Sequence, residues 1–453
     1  MKLCVIGGAG VRTVSFINGL VSHRGRLRVE QVSLWDTDRR KLEVISGLCR
    51  HVADRAGSPL RVEAAASAEE ALSGAGAVVT TLRVGGDRGR AMDEAIALRR
   101  GVIGQETTGA GGFFMAARTL PVLLGYMELT ERLAPGAAVF NFTNPSGLVT
   151  QALAMAGHGG VLGICDAPSS VSVRMAEALG VPEDRLEARF FGLNHLSWIH
   201  SVRVNGEERL PALLRDRDFL SSVQEFSIFD PGCFRLSGCL PNEYLYYYYH
   251  RERALERMMG AKELRGAMIE RLDRELFASV GPELVRRDPE EALQRFLYFI
   301  WKREGSYMSA ETSRAPREAA GGRLEIPKDM GYAGVMLGCL EAMQGEAPRV
   351  LALNVPNGGA IPCLGDEDIV EISCEVSSRG IRPLSPPEVN AHCEDLLRSV
   401  KAYERAAAGA ILEGSRERAV EALTLHPLVM SWSLASALVD DCRAAWGDAV
   451  RLD

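Results

Sequence analysis

A chain of 453 residues is too long for one ordinary domain, and 47% hydrophobic with 25% charged residues is the composition of a soluble globular protein of two interleaved lobes. A formal net charge of −7 without any Lys/Arg block argues against a nucleic-acid partner but leaves room for an anionic small molecule. No apolar run reaches membrane-spanning length, and ten scattered cysteines without a CxxC pair read as the reduced thiols of a cytoplasmic protein.

In chain order, residues 2–6 form a short buried strand, and a glycine turn leads into a helix over Val14–Val21. A second strand, Val29–Trp35, ends at Asp36, and strand-like runs recur at Ala77–Leu82, Ala137–Phe142 and Gly160–Ile164 with helical segments such as Arg118–Leu133 between them. Strand alternating with helix predicts a mostly parallel, Rossmann-like sheet whose ligands bind beyond the carboxyl ends of the strands. Past residue 168 the rhythm becomes α+β. Strands at 186–192 and 197–204 lead to a helical stretch from Tyr244 to about Trp301, then strands at Val350–Asn354 and Ile369–Val376 and long helices over 387–446. Arg379–Pro387 reads as a Pro-rich connector.

Gly8-Ala9-Gly10-Val11-Arg12-Thr13 follows a strand and opens a helix, the setting in which glycines let a pyrophosphate approach backbone N–H groups at a helix amino terminus. Thr13 stands where a third glycine is usual, so a plain strand–helix turn is the alternative. Asp36 at the end of the second strand suits an adenosine ribose and favours NAD over NADP.

Cys165 and His195 end two strands and offer sulfur and nitrogen ligands; by type these suit zinc or iron, and singly each is as well read as a core residue. Asp166 is a general acid or the cap of the helix beginning near Pro168. The phenol-rich run Pro241–His250 is an aromatic helix face, or it supplies a base in Tyr244 if a cation lowers that phenol's pKa. Arg90 and Arg265 have the paired donors that grip a phosphate.

Several stretches in one order carry a resemblance: Arg83-Val84-Gly85-Gly86, Gly104-Gln105-Glu106-Thr107 with Gly111-Gly112, Asn141-Phe142-Thr143-Asn144-Pro145 and Gly163-Ile164-Cys165-Asp166. Gly192-Leu193-Asn194-His195, Pro241-Asn242-Glu243-Tyr244-Leu245 and Asn354-Val355-Pro356-Asn357-Gly358-Gly359-Ala360-Ile361 complete the series. Over most of its length the chain resembles glycoside hydrolase family 4, the NAD- and metal-dependent glycosidases, and within it the 6-phospho-β-glucosidases. The usual glycosidase scheme of two carboxylates flanking the scissile bond does not apply to that family.

The resemblance implies a Rossmann-like NAD domain over 1–168 and an α+β domain of substrate, metal and oligomer contacts over 169–453, in the superfold of lactate and malate dehydrogenases. It implies oxidation at the sugar C3 by NAD, metal-assisted removal of the C2 proton, elimination of the C1 group, water addition and return of the hydride. Carried over residue by residue, Cys165 and His195 hold the ion, typically Mn2+, and Tyr244 is the base, with Asp166 as a candidate acid. Gly8, Gly10, Val11, Arg12, Asp36 and Asn144 hold NAD; Arg90, Asn144, Asn194 and Arg265 hold a phosphorylated sugar. A homodimer or homotetramer goes with it.

Two departures stand out. The first loop lacks the family's phosphate-binding serine, for which Arg12 is a substitute. Asp166 occupies a position where β-acting members commonly have Asn, so α-linked substrates are the alternative to β-linked ones. Outside the family, a lactate/malate-type 2-hydroxy-acid dehydrogenase has no use for a thiolate at position 165, and a silent NAD-binding module needs none of Cys165, His195 and Tyr244.

Overall fold

The computed structural model describes residues 1–23, 27–312, 323–326, 331–345 and 347–453. Six parallel strands form its centre: β1 (Lys2–Ile6), β2 (Gln31–Trp35), β3 (Arg61–Ala64), β4 (Ala77–Thr80), β5 (Ala138–Asn141) and β6 (Leu162–Gly163). Their spatial order, β3-β2-β1-β4-β5-β6, is that of a dinucleotide-binding sheet, with its switch point between β1 and β4. Leu3, Val5, Val78 and Val79 are at most 2% exposed, as expected of central strands covered on both faces. The outermost strand, Arg61-Val62-Glu63-Ala64, buries only Val62, and its charged side chains keep that edge from pairing further.

Crossovers are made by α1 (Arg12–Ser22), α2 (Arg39–Arg55), α3 (Ala68–Leu72), α4 (Gly86–Arg99), α5 (Gly109–Leu133), α6 (Ser146–Met155) and α7 (Ala167–Leu179). α5 starts nine residues before the expected Arg118, because its first turn is glycine. A Cβ at Gly111 would lie 2.2 Å from the Gln105 carbonyl oxygen, and one at Gly112 would lie 2.7 Å from the Thr107 carbonyl. The helix thus packs its bare backbone on the Gln105–Thr107 loop.

The second half adds a smaller antiparallel sheet, β7 (Leu186–Leu193), β8 (Leu196–Val204), β9 (Glu207–Glu208) and β10 (Leu240–Pro241). It then returns to the first sheet: β11 (Arg349–Pro356) runs antiparallel to β6 through Asn354 opposite Gly163, followed by β12 (Ile369–Ser377) and β13 (Gly380–Pro383). One cluster of buried apolar side chains accordingly runs from Leu3 to Leu452.

The stretch 244–301 is helical as expected, in successive helices with breaks after Gly260, before Pro282 and before Pro289, where proline lacks the N–H an interior position would use. One expectation needs correction. The connector 379–387 contains β13, whose Pro383 ends an outermost strand and therefore deprives no neighbour of a donor.

Candidate active site

A cavity of about 600 Å³ opens at the carboxyl ends of β1, β2, β4, β5 and β6. Its first end is built by the β1–α1 turn. Gly7 has φ +93°, and a Cβ there would lie 2.6 Å from the Thr81 carbonyl, so only glycine fits. Ala9, Gly10, Val11 and Arg12 line the cavity, and α1 begins there with no side-chain cap and no acidic residue in its first turn, leaving N–H groups for an anion. Gly8 does not line the cavity: its missing side chain makes room for Leu34, 2.8 Å from where a Cβ would stand. Thr13, in place of the third glycine, is buried and its N–H bonds the Gly10 carbonyl at 3.0 Å. Asp36 lines the same end, accepting from the N–H of Ala9 and of Asp38, both at 3.1 Å. Burial pushes its pKa up, against those bonds.

The far end gathers the ligand candidates. Cys165 follows β6, and His195 sits at the tip of the β7–β8 hairpin in a left-handed conformation, φ +64°. The Cys165 Sγ and His195 Nε2 are 3.6 Å apart and both residues are buried. Two donors at about 2.0–2.3 Å from one cation, subtending about 90–110°, stand about 3.1–3.6 Å apart, so the pair fits a single ion. Burial lowers the His195 pKa to about 4, partly offset by Asp166 and Glu106, so the ring is neutral at pH 7. Burial, then Glu371 and Asp166, push the Cys165 thiol well up, the resistance a cation's charge has to overcome. Among the described residues no cluster of three or more His, Cys, Asp or Glu side chains forms a metal cage. A two-ligand centre leaves coordination positions for substrate oxygens, as catalytic sites require.

The Tyr244 ring lies flat on the His195 imidazole, centroids 3.8 Å apart and planes 9° apart. Burial, then Glu243, push its pKa up, and a hydrogen bond with Tyr307 works the other way. Tyr307, also lining the cavity, donates to Glu243 Oε1 at 3.2 Å. Asp166 occupies the N-cap position of α7 but its side chain makes no capping bond; its carboxylate pairs with Arg12 across the cavity. Asn144, joined to Pro145 by a cis peptide, faces the cavity from the end of β5. Asn194 does not line it: its Nδ2 donates to Glu371 Oε1 at 2.9 Å and its Oδ1 accepts from the Gly147 N–H at 3.4 Å.

Basic side chains cluster between the two ends. Arg90 is 5% exposed; its Nε donates to Glu94 at 2.8 Å and its Nη1 meets Glu106 at 2.8 Å. Arg83 binds the other Glu106 oxygen at 2.6 Å. Burial opposes the Glu106 charge, yet Arg83 and Arg90 hold its carboxyl below the usual range. Arg265 donates to Ser306 Oγ at 2.9 Å and lies 5.2 Å over the Tyr307 ring.

Sequence reasoning missed Arg303. It lines the cavity, and burial pushes its pKa down, with Arg12 and Arg90 adding to the effect against Asp87 and Glu304. Its guanidinium has no hydrogen bond or ion pair within the described residues. A helix-face arginine at position 303 carries no local signal of this. Gln105, Thr107 and Glu371 were also missed as neighbours of the ligand pair, although the first two lie in the Gly104–Thr107 motif.

Known proteins resemble this chain in sequence and in fold. The sequence profile of the family 4 glycosyl hydrolases matches residues 2–181, and that of the family 4 glycosyl hydrolase C-terminal domain matches residues 190–429. The chain is 30% identical to 6-phospho-beta-glucosidase of Escherichia coli K12, over 95% of this chain and 92% of that one. It is 25% identical to 6-phospho-alpha-glucosidase 1 of Lacticaseibacillus paracasei, over 97% and 96%. The structure of the 6-phospho-beta glucosidase from Thermotoga maritima with manganese, NAD+ and glucose-6-phosphate superposes with a TM-score of 0.82, at 25% identity and with both chains fully covered. Malate dehydrogenase from Salinibacter ruber, at 12% identity, shares the fold with a TM-score of 0.51 over 92% of this chain and 99% of that one. Profiles covering both halves of the chain, in a structure that brings their motifs to one cavity, decide the matter: the chain belongs to glycosyl hydrolase family 4.

Proposed function

We propose that this protein hydrolyses 6-phosphorylated glucosides, β-linked in preference to α-linked, with NAD and Mn2+ held in the one cavity. The observation that carries the reading is the 3.6 Å Cys165–His195 pair facing the same space as an open helix amino terminus and an arginine cluster. When bound, NAD supplies a hydride acceptor and donor for the sugar C3, and the cation acidifies the neighbouring C2 proton.

The protein's own share is positional. Ala9, Gly10, Val11 and Arg12 line the path of the pyrophosphate at the open start of α1, with Asp36 on the ribose and Gly8 keeping the turn tight against β2. Cys165 Sγ and His195 Nε2 direct their electron pairs at one point. Tyr244 receives the C2 proton at its phenol oxygen, beside the Tyr307 hydroxyl that donates to Glu243. Arg90 and Arg265, with Arg303, hold the 6-phosphate; Asn144 orients the sugar against the nicotinamide. Asn194 acts behind the cavity, steadying the loop of His195.

Substrate preference follows the relatives: the β-acting enzyme named above is the more similar, 30% against 25% for the α-acting one. The second reading, an α-acting enzyme, rests on Asp166, a carboxyl beside Cys165 that could protonate a leaving group once released from Arg12. Residues 1–168 hold the nucleotide and supply Cys165, Arg90 and Asn144, and 169–453 supply His195, Tyr244 and Arg265.

A cytoplasmic location suits ten free thiols, Cys165 among them, and among the described residues no helix is long and apolar enough to cross a membrane. Leu425, Met430 and Trp432, 41%, 69% and 58% exposed, are apolar surface that a homodimer or homotetramer would cover. The test is a panel of α- and β-nitrophenyl glucosides with and without a 6-phosphate, assayed with NAD, Mn2+ and a thiol reductant. Cleavage of the phosphorylated β-glucoside, with no net NADH, is expected. NADH accumulating steadily with a 2-hydroxy acid and no glycoside cleavage overturns the reading.

A further inference from the structure

We infer that Thr107, backed by Gln105, fixes the tautomer and orientation of His195 and is thereby a positioning residue for the divalent ion. The inference rests on the proposed assignment of Cys165 and His195 to that ion.

Counting protons along the chain of contacts settles which ring nitrogen is bare. The Thr107 N–H can only donate, and the Gln105 side-chain atom it meets at 2.6 Å must therefore be the amide oxygen. That same oxygen lies 3.0 Å from Thr107 Oγ1, and because an amide oxygen only accepts, the hydroxyl's single proton points to it. Thr107 Oγ1 then has only lone pairs left for His195 Nδ1, 2.9 Å away, so Nδ1 carries the hydrogen. In the neutral ring the bare nitrogen is Nε2, the one 3.6 Å from Cys165 Sγ. The protein thus prepares an Nε2 donor before any ion arrives, which is the service that outer partners of metal-bound histidines provide.

The relay is built rather than incidental. Gln105 and Thr107 are each 7% exposed. The loop that carries them is buttressed by the glycines of the first turn of α5, where side chains at Gly111 and Gly112 would collide with the Gln105 and Thr107 carbonyls. This gives the Gly104-Gln105-Glu106-Thr107 stretch and its following glycines a physical role: they hold a hydroxyl acceptor against one face of the site. The parallel Tyr244 ring stacks on the imidazole, so the Thr107 bond also fixes the plane on which the phenol packs.

The test compares Thr107→Val, which keeps the shape and removes the hydroxyl, with Thr107→Ser, which keeps the hydroxyl. Mn2+ affinity of the full chain is measured by titration with electron paramagnetic resonance of the free ion. Thr107→Val is expected to weaken binding by about 10–100-fold, and Thr107→Ser to stay within about 3-fold of wild type. Equal affinity in all three proteins, or equal loss in both variants, overturns the inference. Cys165→Ala and His195→Ala run alongside: if they bind Mn2+ as wild type does, it is the ion's assignment that has failed. A measurement on the wild type alone needs no variant to fold. Nitrogen-15 histidine NMR of the metal-free protein should show His195 protonated at Nδ1, and protonation at Nε2 refutes the relay outright.

Discussion

Tyr244 and Arg303 face the same cavity but answer to different physics. A phenol that burial holds protonated can act as a base only with a cation close by, and its plane on the His195 ring puts it there. Tyr244→Phe keeps the stacking area and removes only the oxygen. Turnover should fall by about 10²–10⁴-fold while NAD affinity stays within about 3-fold, read by kinetics and by nucleotide titration. Unchanged turnover would remove the phenol from the chemistry. Arg303 is the opposite case, a half-buried cation without a hydrogen bond or ion pair among the described residues, on which burial outweighs the pull of Asp87 and Glu304. Arg303→Met should leave the free protein about equally stable, because no hydrogen bond or ion pair is lost and the charge removed is only partly desolvated. The preference for phosphorylated over unphosphorylated glucoside should drop at least about 10-fold in kcat/KM, the loss of one charge-assisted hydrogen bond. A preference that survives intact would assign the phosphate to Arg90 and Arg265 alone.

At the scale of an element, the β7–β8 hairpin decides where His195 stands. Its two-residue turn joins Leu193 to Leu196, and Glu371 from β12 grips it from behind, accepting from Asn194 Nδ2 on one side and Ser197 Oγ on the other, both at 2.9 Å. Gly192 has φ +140°, and a Cβ would lie 2.4 Å from the Leu196 carbonyl oxygen; Gly206, between β8 and β9, has φ +84° and open space around it. Gly206→Ala should therefore cost about 1–2 kcal/mol from backbone conformation alone, whereas Gly192→Ala adds a backbone clash and should cost more than about 3 kcal/mol and weaken Mn2+ binding. Equal losses in thermal denaturation would show that only the backbone angle matters. The contrast also explains what could be read from the residues. Cys165 and Asp166 were legible because they end an apolar run in a parallel sheet, which displays polar groups to ligands there, and His195 because it follows an apolar strand at the tip of an antiparallel hairpin. Glu371 was not, since a carboxylate inside Ile369–Val376 looks like the solvent-facing half of an alternating strand, and only the packing of β7 on β12 buries it. Gly8 and Asn194 came with the family motifs, which bring both to the site without giving the direction each faces, and their turns send them away from the cavity. The length of α5 and the strand β13 went unseen for a related reason: glycine and proline signal breaks unless tertiary contacts make use of them.

Across the whole molecule, buried titratable groups outside the ion pair set how stability responds to acid, and their signs conflict. Burial pushes Glu243 and Glu371 up to about 7, and pushes His200 down to about 4 and His426 to about 3. A carboxyl raised above its unfolded value of 4.5 binds more protons folded than unfolded between 4.5 and about 7, so acid adds stability there. An imidazole depressed below its unfolded value of 6.5 binds fewer protons when folded, so acid removes stability from 6.5 downwards. In the metal-free protein His195, His250 and His392, also depressed by burial, join the imidazoles, and Glu94 and Glu404, also raised by burial, join the carboxyls, so from pH 6.5 to 4.5 the two kinds oppose one another. Below 4.5 the carboxyls are protonated in both states, while the imidazoles go on subtracting and Glu106, held low against burial by Arg83 and Arg90, joins them. The melting temperature of the metal-free protein should accordingly stay within about 3 °C from pH 6.5 to 4.5 and fall by more than that over the next unit, by differential scanning fluorimetry. His426→Gln takes away one opposing imidazole, and its melting temperature should rise relative to that of the wild type as pH drops from 6.5 to 4.5. A wild-type midpoint that falls steeply from pH 6.5, and does so equally in the variant, would mean that Glu243 and Glu371 enter the fold as ordinary ionised carboxylates.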